Sequence, residues 1–184
     1  MAEIRIQTPL TREMASSLKA GDTVLISGTI YSCRDAAHKR LRGLLDEGKE
    51  LPFAIRDQII YYAGPTPTPP GKVIGSAGPT TSYRMDKYTP ALLRAGLTGM
   101  IGKGKRSDAV IEAMKETGAV YLVATGGAAA LIAQRIKSSE VICYEDLGAE
   151  ALRKMTVEDF PAIVAIDARG VNMYEVGRKE YAEK

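Results

Sequence analysis

The sequence predicts an α/β fold, in which β-strands and α-helices alternate along the chain. Short β-branched runs alternate with segments of helical periodicity, and glycines cluster where strands pass into helices. The 184 residues are enough to bury a core of their own, and neither an internal repeat nor a linker divides them. We therefore expect a single domain over residues 1–184.

The first third of the chain shows two strands, a helix and a stiff loop. The β-branched run 24–30 predicts a buried strand, and Ser32 is placed to cap a helix that ends at Gly48. Residues 59–62 predict a second strand. Prolines then recur through residues 64–72, and because proline lacks an amide donor they predict a surface loop.

The rest of the chain continues the alternation. Proline favours the first helical turn and glycine ends helices, so Pro90 and Gly118 mark the limits of two helices. The predicted elements are, in order, a helix after 78–82, a helix at 89–96, a strand at 97–101, a helix from Ser107 to Gly118, a strand at 119–124, a turn at Gly126-Gly127, a helix at 128–137, strands at 141–144 and 163–167, and a turn at 167–170 into an extended piece. The charged end, 177–184, is predicted to fray.

Composition excludes several classes of protein. The net charge is only +3 and there is no Trp, so we expect no nucleic-acid partner. The longest apolar stretch, 128–133, is far shorter than the roughly 20 residues of a membrane-spanning helix. The first residues lack the apolar core of a secretory signal, so we expect a cytoplasmic protein with no membrane partner.

The cysteine content limits metal chemistry. Cys33 and Cys143 are far apart and form no CxxC pair, and the chain has one histidine. Such a set cannot complete a four-ligand zinc site or hold an iron–sulfur cluster unaided. We predict no metal site on this chain, and any redox metal has to come from another chain.

The first of three segments with candidate functional residues is 32–38, SCRDAAH. Arg34 and His38 are four residues apart, so on a helix they would share one face. Arginine binds carboxylates through paired hydrogen bonds, and histidine exchanges protons near neutral pH. The alternative is a solvated helix face on which either side chain pairs with a carboxylate such as Asp35 or Asp46.

The second segment is 78–84, GPTTSYR. Thr80, Thr81 and Ser82 place three hydroxyls before a predicted helix, whose amino end favours anions. Arg84 follows one turn later and can reach back toward the same place. The alternative is plain helix capping, which needs only one hydroxyl.

The third segment is 102–107, GKGKRS. From Gly99 the sequence approximates a phosphate-binding loop, but Arg106 stands where the magnesium-binding Ser or Thr belongs, so we reject a nucleotide triphosphatase. The glycines around Lys103 make its amine a good clamp for a carboxylate. Solvation is the simplest interpretation of Lys105 and Arg106.

Together these segments resemble one family. The runs SGTIYSCRDAAHKRL, SAGPTTSYRMDKYTPALL, GKGKRS, VYLVATGGAAAL and AIVAIDARGVNMY follow one another in this order. They are similar to the beta subunit of two-subunit class I fumarases and of the related L-tartrate dehydratase, and to the C-terminal domain of single-chain class I fumarases. The resemblance covers residues 6–174.

The resemblance implies a fold, a cofactor and a partner. The fold is a single swivelling β/β/α domain. The partner is an alpha subunit that holds an oxygen-sensitive 4Fe-4S cluster through three cysteines, with one iron open to the substrate as a Lewis acid. The two chains would form a hetero-oligomer around a small dicarboxylate substrate.

The resemblance also implies roles for individual residues. Thr80 matches the threonine proposed to take the C3 proton of the substrate, and His38 is the rival group for proton transfer. The residues that match substrate contacts are Arg34, Thr81, Arg84 and Lys103. We rank Thr80 above His38, because Arg84 and Lys103 are placed to stabilise its alkoxide.

The expected function is reversible hydration of fumarate to (S)-malate by a hydro-lyase that is active only with its alpha subunit. The motifs serve L-tartrate dehydratase equally, and mesaconate or another branched dicarboxylate is a further alternative. From a different class of protein, the same cations would suit a non-catalytic regulatory module that binds a dicarboxylate without a partner.

Overall fold

The computed structural model of the chain describes residues 3–124 and 129–181. The strands are β1 (Ile4–Gln7), β2 (Thr23–Ser32), β3 (Ile59–Tyr61), β4 (Gly99–Gly102), β5 (Val120–Val123), β6 (Ile136–Cys143) and β7 (Leu152–Ile166). The α-helices are α1 (Arg12–Ser17), α2 (Asp35–Asp46), α3 (Thr89–Arg94), α4 (Asp108–Thr117), α5 (Ala129–Arg135) and α6 (Met173–Tyr181). Two segments, Ser82–Met85 and Glu145–Glu150, are 3₁₀ helices.

The seven strands form one sheet that closes into a small barrel. β1 to β5 pair in parallel, and β7 runs antiparallel to β2, β5 and β6. Because β7 pairs with β2 along one edge and with β5 along the other, it closes the ring β2–β3–β4–β5–β7. The α/β class is confirmed. The barrel closure was not predicted from the sequence.

Alternate strand residues face two separate hydrophobic cores. In β3, Ile59 and Tyr61 point into the core that the barrel encloses, whereas Ile60 faces the core between the barrel and helices α2, α3 and α4. Strands covered on both faces carry apolar residues at successive positions, so β3 is apolar throughout. The continuous apolar run at 59–62 therefore reveals this strand in the sequence.

Most predicted elements lie where the sequence places them. The strands predicted at 24–30, 59–62, 97–101 and 119–124 correspond to β2, β3, β4 and β5, and the prolines of 64–72 lie in a stretch without helix or strand. Gly118 ends α4 in the left-handed conformation, as its position predicts. The turn predicted at Gly126-Gly127 lies outside the described residues.

The antiparallel strands differ from prediction. β7 begins at Leu152, well before the predicted strand 163–167, and β6 begins at Ile136, before the predicted strand 141–144. Along most of β7 polar residues alternate with apolar ones, because one face is exposed. In β6 only Ile136 is buried, so neither strand forms a long apolar run. β1 and α1 also precede the first predicted strand.

The predicted extended piece after 167–170 is wrong. The turn itself is confirmed, because the Gly170 amide donates to the Asp167 carbonyl at 2.9 Å. α6 then begins, and the side-chain oxygen of Asn172 accepts a hydrogen bond from the Tyr174 amide at 3.1 Å, which caps the helix. The single domain over 1–184 and the fraying at 177–184 stay predictions.

Candidate functional site

The candidate site lies at the rim of the barrel where the parallel strands end. β2 ends at Ser32 and is followed by Arg34 and α2, and β4 ends at Gly102 and is followed by Lys103. Because both strands run in the same direction, their carboxyl ends reach the same rim. In α/β proteins this is the edge at which ligands bind.

Main-chain hydrogen bonds bring the second and third segments together. The Lys103 amide donates to the Thr80 carbonyl at 3.2 Å, and the Ser82 amide donates to the Lys103 carbonyl at 2.9 Å. Thr81 and Lys103 form an isolated parallel β-bridge. The Thr80 amide donates to the Tyr62 carbonyl at 2.6 Å, which ties this pair to the end of β3. Thr80 and Thr81 are half-buried and Lys103 is exposed, so all three lie where solvent reaches the rim.

An ion pair connects the second segment to the first. Arg84 lies 2.9 Å from Asp35, at the start of α2. The adjacent Arg34 lies 3.4 Å from the carboxylate of Glu150, which also accepts a hydrogen bond from the Ala36 amide at 3.2 Å. The Nε of Arg34 is buried and has no hydrogen-bond partner among the described residues. A buried donor without a partner costs free energy, so this guanidinium is only partly satisfied within the described residues.

His38 lies in the interior and does not share a helix face with Arg34. Arg34 has extended backbone angles and precedes the helix, so the predicted common face is wrong. The His38 ring packs edge-on against Tyr62 with centroids 5.2 Å apart, and Nδ1 lies 2.9 Å from the Arg34 carbonyl oxygen and 3.4 Å from Cys33 Sγ. Burial lowers the pKa of His38 to about 4, so the ring is neutral near pH 7 and Nδ1 donates to the carbonyl.

The interpretation of Arg106 as a solvated side chain is wrong. The side chain is buried, not solvated, and its Nε donates to Asp86 at 2.7 Å. It also donates to Thr89 Oγ1 at 2.9 Å and to the Tyr62 hydroxyl at 3.3 Å. Partners this far away in sequence cannot be found without the fold. The only signal was that Arg106 occupies a loop already singled out for its cations.

Two rim glycines allow close packing that a side chain would block. A Cβ added at Gly64 would lie 2.8 Å from Cδ and Nη1 of Arg34, so this glycine lets the arginine cross the backbone after β3. A Cβ at Gly102 would collide with Ser82 Oγ and lie 2.9 Å from Cδ2 of Tyr62. The glycine at the end of β4 therefore permits the contact with the threonine segment.

The donor set of the described residues does not fit an iron–sulfur cluster. Within residues 3–124 and 129–181, no group of three or more His, Cys, Asp or Glu side chains could hold a metal ion. Cys33 is fully buried, and burial raises the pKa of its thiol, which disfavours the thiolate that binds iron. Cys143 is only partly buried.

Comparison with known families identifies the relatives of the chain. The Fumarase C-terminus family profile matches residues 1–177. The chain belongs to the Fumarase C-terminus family. The predicted resemblance is confirmed.

Individual relatives differ in length. Fumarate hydratase class I, anaerobic, of Escherichia coli (strain K12) is 47% identical over 152 residues, which cover 82% of this chain and 28% of that protein. Fumarate hydratase 2 of Leishmania major is 40% identical over 165 residues, which cover 89% of this chain and 29% of that protein. A Methanocaldococcus jannaschii protein, provisionally named L(+)-tartrate dehydratase subunit beta, is 36% identical over 181 residues. These cover 95% of this chain and 93% of that protein.

The chain thus spans less than a third of these two fumarate hydratases. It spans nearly all of the subunit-sized relative. None of the helices in the described ranges is both long and apolar enough to cross a membrane.

Proposed function

We propose that this chain is the beta part of a hydro-lyase that reversibly hydrates fumarate to (S)-malate. The observation that carries the proposal is the meeting of Thr80, Thr81 and Lys103 at one rim, tied through Arg84 and Asp35 to the segment of Arg34. Family membership supports the same reaction, because class I fumarate hydratases match most of the chain.

Arg34, Arg84 and Lys103 would bind the two carboxylates of the substrate. Arginine offers paired donors to a carboxylate, and the side chains of Arg34 and Arg84 are both partly exposed. Asp35 and Glu150 already orient the two guanidinium groups. These pairs are partly exposed, so each guanidinium can stay paired while it also contacts a substrate carboxylate. Thr81 would add a hydroxyl contact.

Thr80 would take the proton from C3 of malate and return it in the hydration direction. A threonine hydroxyl is a weak base, so the reaction needs nearby cations that stabilise the alkoxide. The Lys103 amide is hydrogen-bonded to the Thr80 carbonyl, and Arg84 lies in the 3₁₀ helix that follows Thr80 and Thr81. Both cations are therefore close to Thr80 along the chain or across the bridge, which supports this role. His38 is the weaker candidate, because its ring is buried beneath the rim.

The 4Fe-4S cluster and its alpha subunit are the remaining parts of the proposal. The described residues lack a cluster-binding set, so a partner chain would hold the cluster. The subunit-sized relative from M. jannaschii supports a two-chain enzyme. Where the partner's cluster contacts substrate, this chain would close over the dicarboxylate and supply cations and the proton-transfer group.

An anaerobic hydration assay tests the proposal. The chain is mixed with a cluster-loaded alpha subunit, and fumarate loss is followed by ultraviolet absorbance, with each chain alone as the control. We expect turnover only when both chains are present. Tight dicarboxylate binding by this chain alone, with no turnover in the mixture, would instead support a non-catalytic regulatory module.

L-Tartrate dehydration is the second candidate, and the near full-length match to the M. jannaschii beta subunit favours it. The substrate carries one more hydroxyl, so the same carboxylate ligands would serve. The same mixture assayed with L-tartrate separates the two activities. Turnover of tartrate alone would keep the site and change the substrate.

A further inference from the structure

The 3₁₀ turn Ser82–Met85 and the loop at 103–107 are joined at both of their ends. At one end the Ser82 amide donates to the Lys103 carbonyl at 2.9 Å. At the other end Asp86 accepts two hydrogen bonds, from Arg106 Nε at 2.7 Å and from the Ser107 amide at 2.6 Å. Two attachments fix the orientation of one segment against the other, whereas a single attachment leaves a rotation free.

Arg106 makes this attachment from within the protein. Its guanidinium lies between the rings of Tyr62 and Tyr121, at 5.3 and 5.0 Å from their centroids. Nη2 donates to Thr89 Oγ1 at 2.9 Å. A buried ion pair of this kind contributes little net stability compared with an apolar pair of similar volume. Its contribution here is a fixed geometry.

Tyr121 provides a third link between the same two segments. Its hydroxyl donates to the Gly104 carbonyl at 2.9 Å and lies 2.8 Å from Ser82 Oγ, which donates to it. Gly104 has a φ of 81°, a backbone conformation that suits glycine, and follows Lys103 directly. Lys103, the following Gly104 and the loop's far end are therefore all fixed to the turn that carries Arg84.

We infer that Asp86 and Arg106 are positioning residues. They fix the position of the Lys103 amine relative to Thr80 and Arg84. The inference rests on the proposed function, in which Lys103 and Arg84 bind substrate carboxylates. Lysine is a flexible point charge, so the position of its backbone decides where its amine can reach. A displacement of about 1 Å at such a group can cost on the order of a hundredfold in rate.

Steady-state kinetics of the assembled two-chain enzyme test the inference. Arg106→Lys keeps the charge and loses the planar donor set, and Asp86→Asn keeps the shape and loses the anion. We expect each to lower kcat/KM for fumarate by about 10- to 100-fold, mainly through KM. A change in kcat/KM of less than twofold in both variants would overturn the inference.

A double-mutant cycle separates positioning from general damage. In a Lys103→Ala background, Arg106→Lys should lower kcat/KM by less than about threefold further, because the residue acts through Lys103. If the two effects multiply in full, Arg106 does not act through Lys103.

Two control variants test separately the effect of an Arg-to-Lys substitution and the effect of lost stability. Arg94→Lys alters an exposed Arg–Glu116 pair between α3 and α4, and should leave KM unchanged. Met114→Ala opens the core beneath α4 and should lower Tm without raising KM. A raised KM in Met114→Ala would show that lost stability alone explains the kinetic effect.

Hydrogen exchange on the full chain needs no activity, so it distinguishes failure of the inference from failure of the proposed function. Arg106→Lys should speed exchange in 82–86 and 103–107 and leave α2 unchanged. Tyr121→Phe, which removes one hydroxyl, should speed exchange in the same two segments to a lesser degree. It replaces Arg106→Lys in this experiment if that variant does not fold. Unchanged exchange in both segments would overturn the inference even if the enzyme hydrates fumarate.

Discussion

Arg84 and Asp35 lie 2.9 Å apart and connect the 3₁₀ turn after Thr81 to the first turn of α2. The Arg84 side chain is 39% exposed and that of Asp35 30%, so the pair adds little to stability. Its consequence is orientation, because the pair holds the guanidinium along the rim, where the proposed function would have it bind a substrate carboxylate. A preorganised cation loses less side-chain entropy on binding.

Arg84→Ala should therefore lower activity strongly and spare the fold. We expect the assembled enzyme to lose roughly three orders of magnitude in kcat/KM for fumarate, because a charge-assisted contact to the substrate is lost. The free energy of unfolding, measured by urea titration of the chain, should change by less than about 1 kcal/mol. Arg94→Ala, which breaks an exposed arginine–glutamate pair away from the rim, is the control and should retain activity. Near-normal turnover in Arg84→Ala would remove this residue from the site.

Thr80→Ala should stop proton transfer more than it weakens binding. Without the hydroxyl, exchange of the C3 proton of malate with deuterated solvent should fall with kcat, by about 100-fold or more, while KM changes little. Thr80→Ser restores the hydroxyl and should recover much of the rate. NMR of malate in D₂O measures the exchange. Exchange that survives in Thr80→Ala and is lost in His38→Asn would assign the proton to the histidine.

The sequence reveals the parallel part of the fold better than the antiparallel part. β3 and β5 are buried on both faces, so each is a continuous apolar run. β7 alternates buried and exposed positions over its length and contains Pro161, which reads as a strand breaker. The closure of the barrel depends on this strand, and no local pattern reports it.

The sequence likewise reveals only part of the candidate site. Arg34, Thr80 and Lys103 each lie in a short cluster of cations, hydroxyls or glycines, and these clusters are visible in the sequence. The ion pairs Arg34–Glu150 and Asp86–Arg106 join residues from different elements. Their existence depends on the tertiary fold, so the groups that orient the rim residues could not be predicted.

His38 should make the chain less stable in mild acid. Its pKa is about 4 in the folded protein and near 6.5 when unfolded, so the unfolded state binds more protons between these values. Stability from the neutral ring is complete above pH 6.5 and is lost as pH falls toward 4. Between pH 7.5 and pH 5 we expect a loss of about 2 kcal/mol in the free energy of unfolding.

Urea titrations of wild type and His38→Asn at the two pH values measure this loss. The asparagine amide can still donate to the Arg34 carbonyl but does not titrate. The loss of unfolding free energy between the two pH values should therefore be smaller in His38→Asn than in wild type, by the amount that the histidine contributes. An equal pH dependence in both proteins would show that the ring does not stay neutral in the fold.

A comparison of two glycines tests the packing of the rim. A Cβ at Gly102 would meet Ser82 Oγ, Cδ2 of Tyr62 at 2.9 Å and the Thr80 carbonyl at 3.3 Å. Ser82 cannot easily turn away, because its hydroxyl is bonded to Tyr121. Gly102→Ala should therefore push the threonine segment from β4, cost about 1–3 kcal/mol of stability and lower kcat/KM for fumarate at least tenfold.

Gly43 provides the matched control, because it lies within α2 and nothing approaches its added Cβ within 4 Å. Gly43→Ala should stabilise the chain by about 0.5–1 kcal/mol, since alanine favours the helix, and should leave kcat/KM unchanged. Urea titration and the hydration assay measure both variants side by side. If Gly102→Ala is as stable and as active as Gly43→Ala, the contact between β4 and the threonine segment is not tight, and the attachment of Lys103 to Thr80 does not constrain the site.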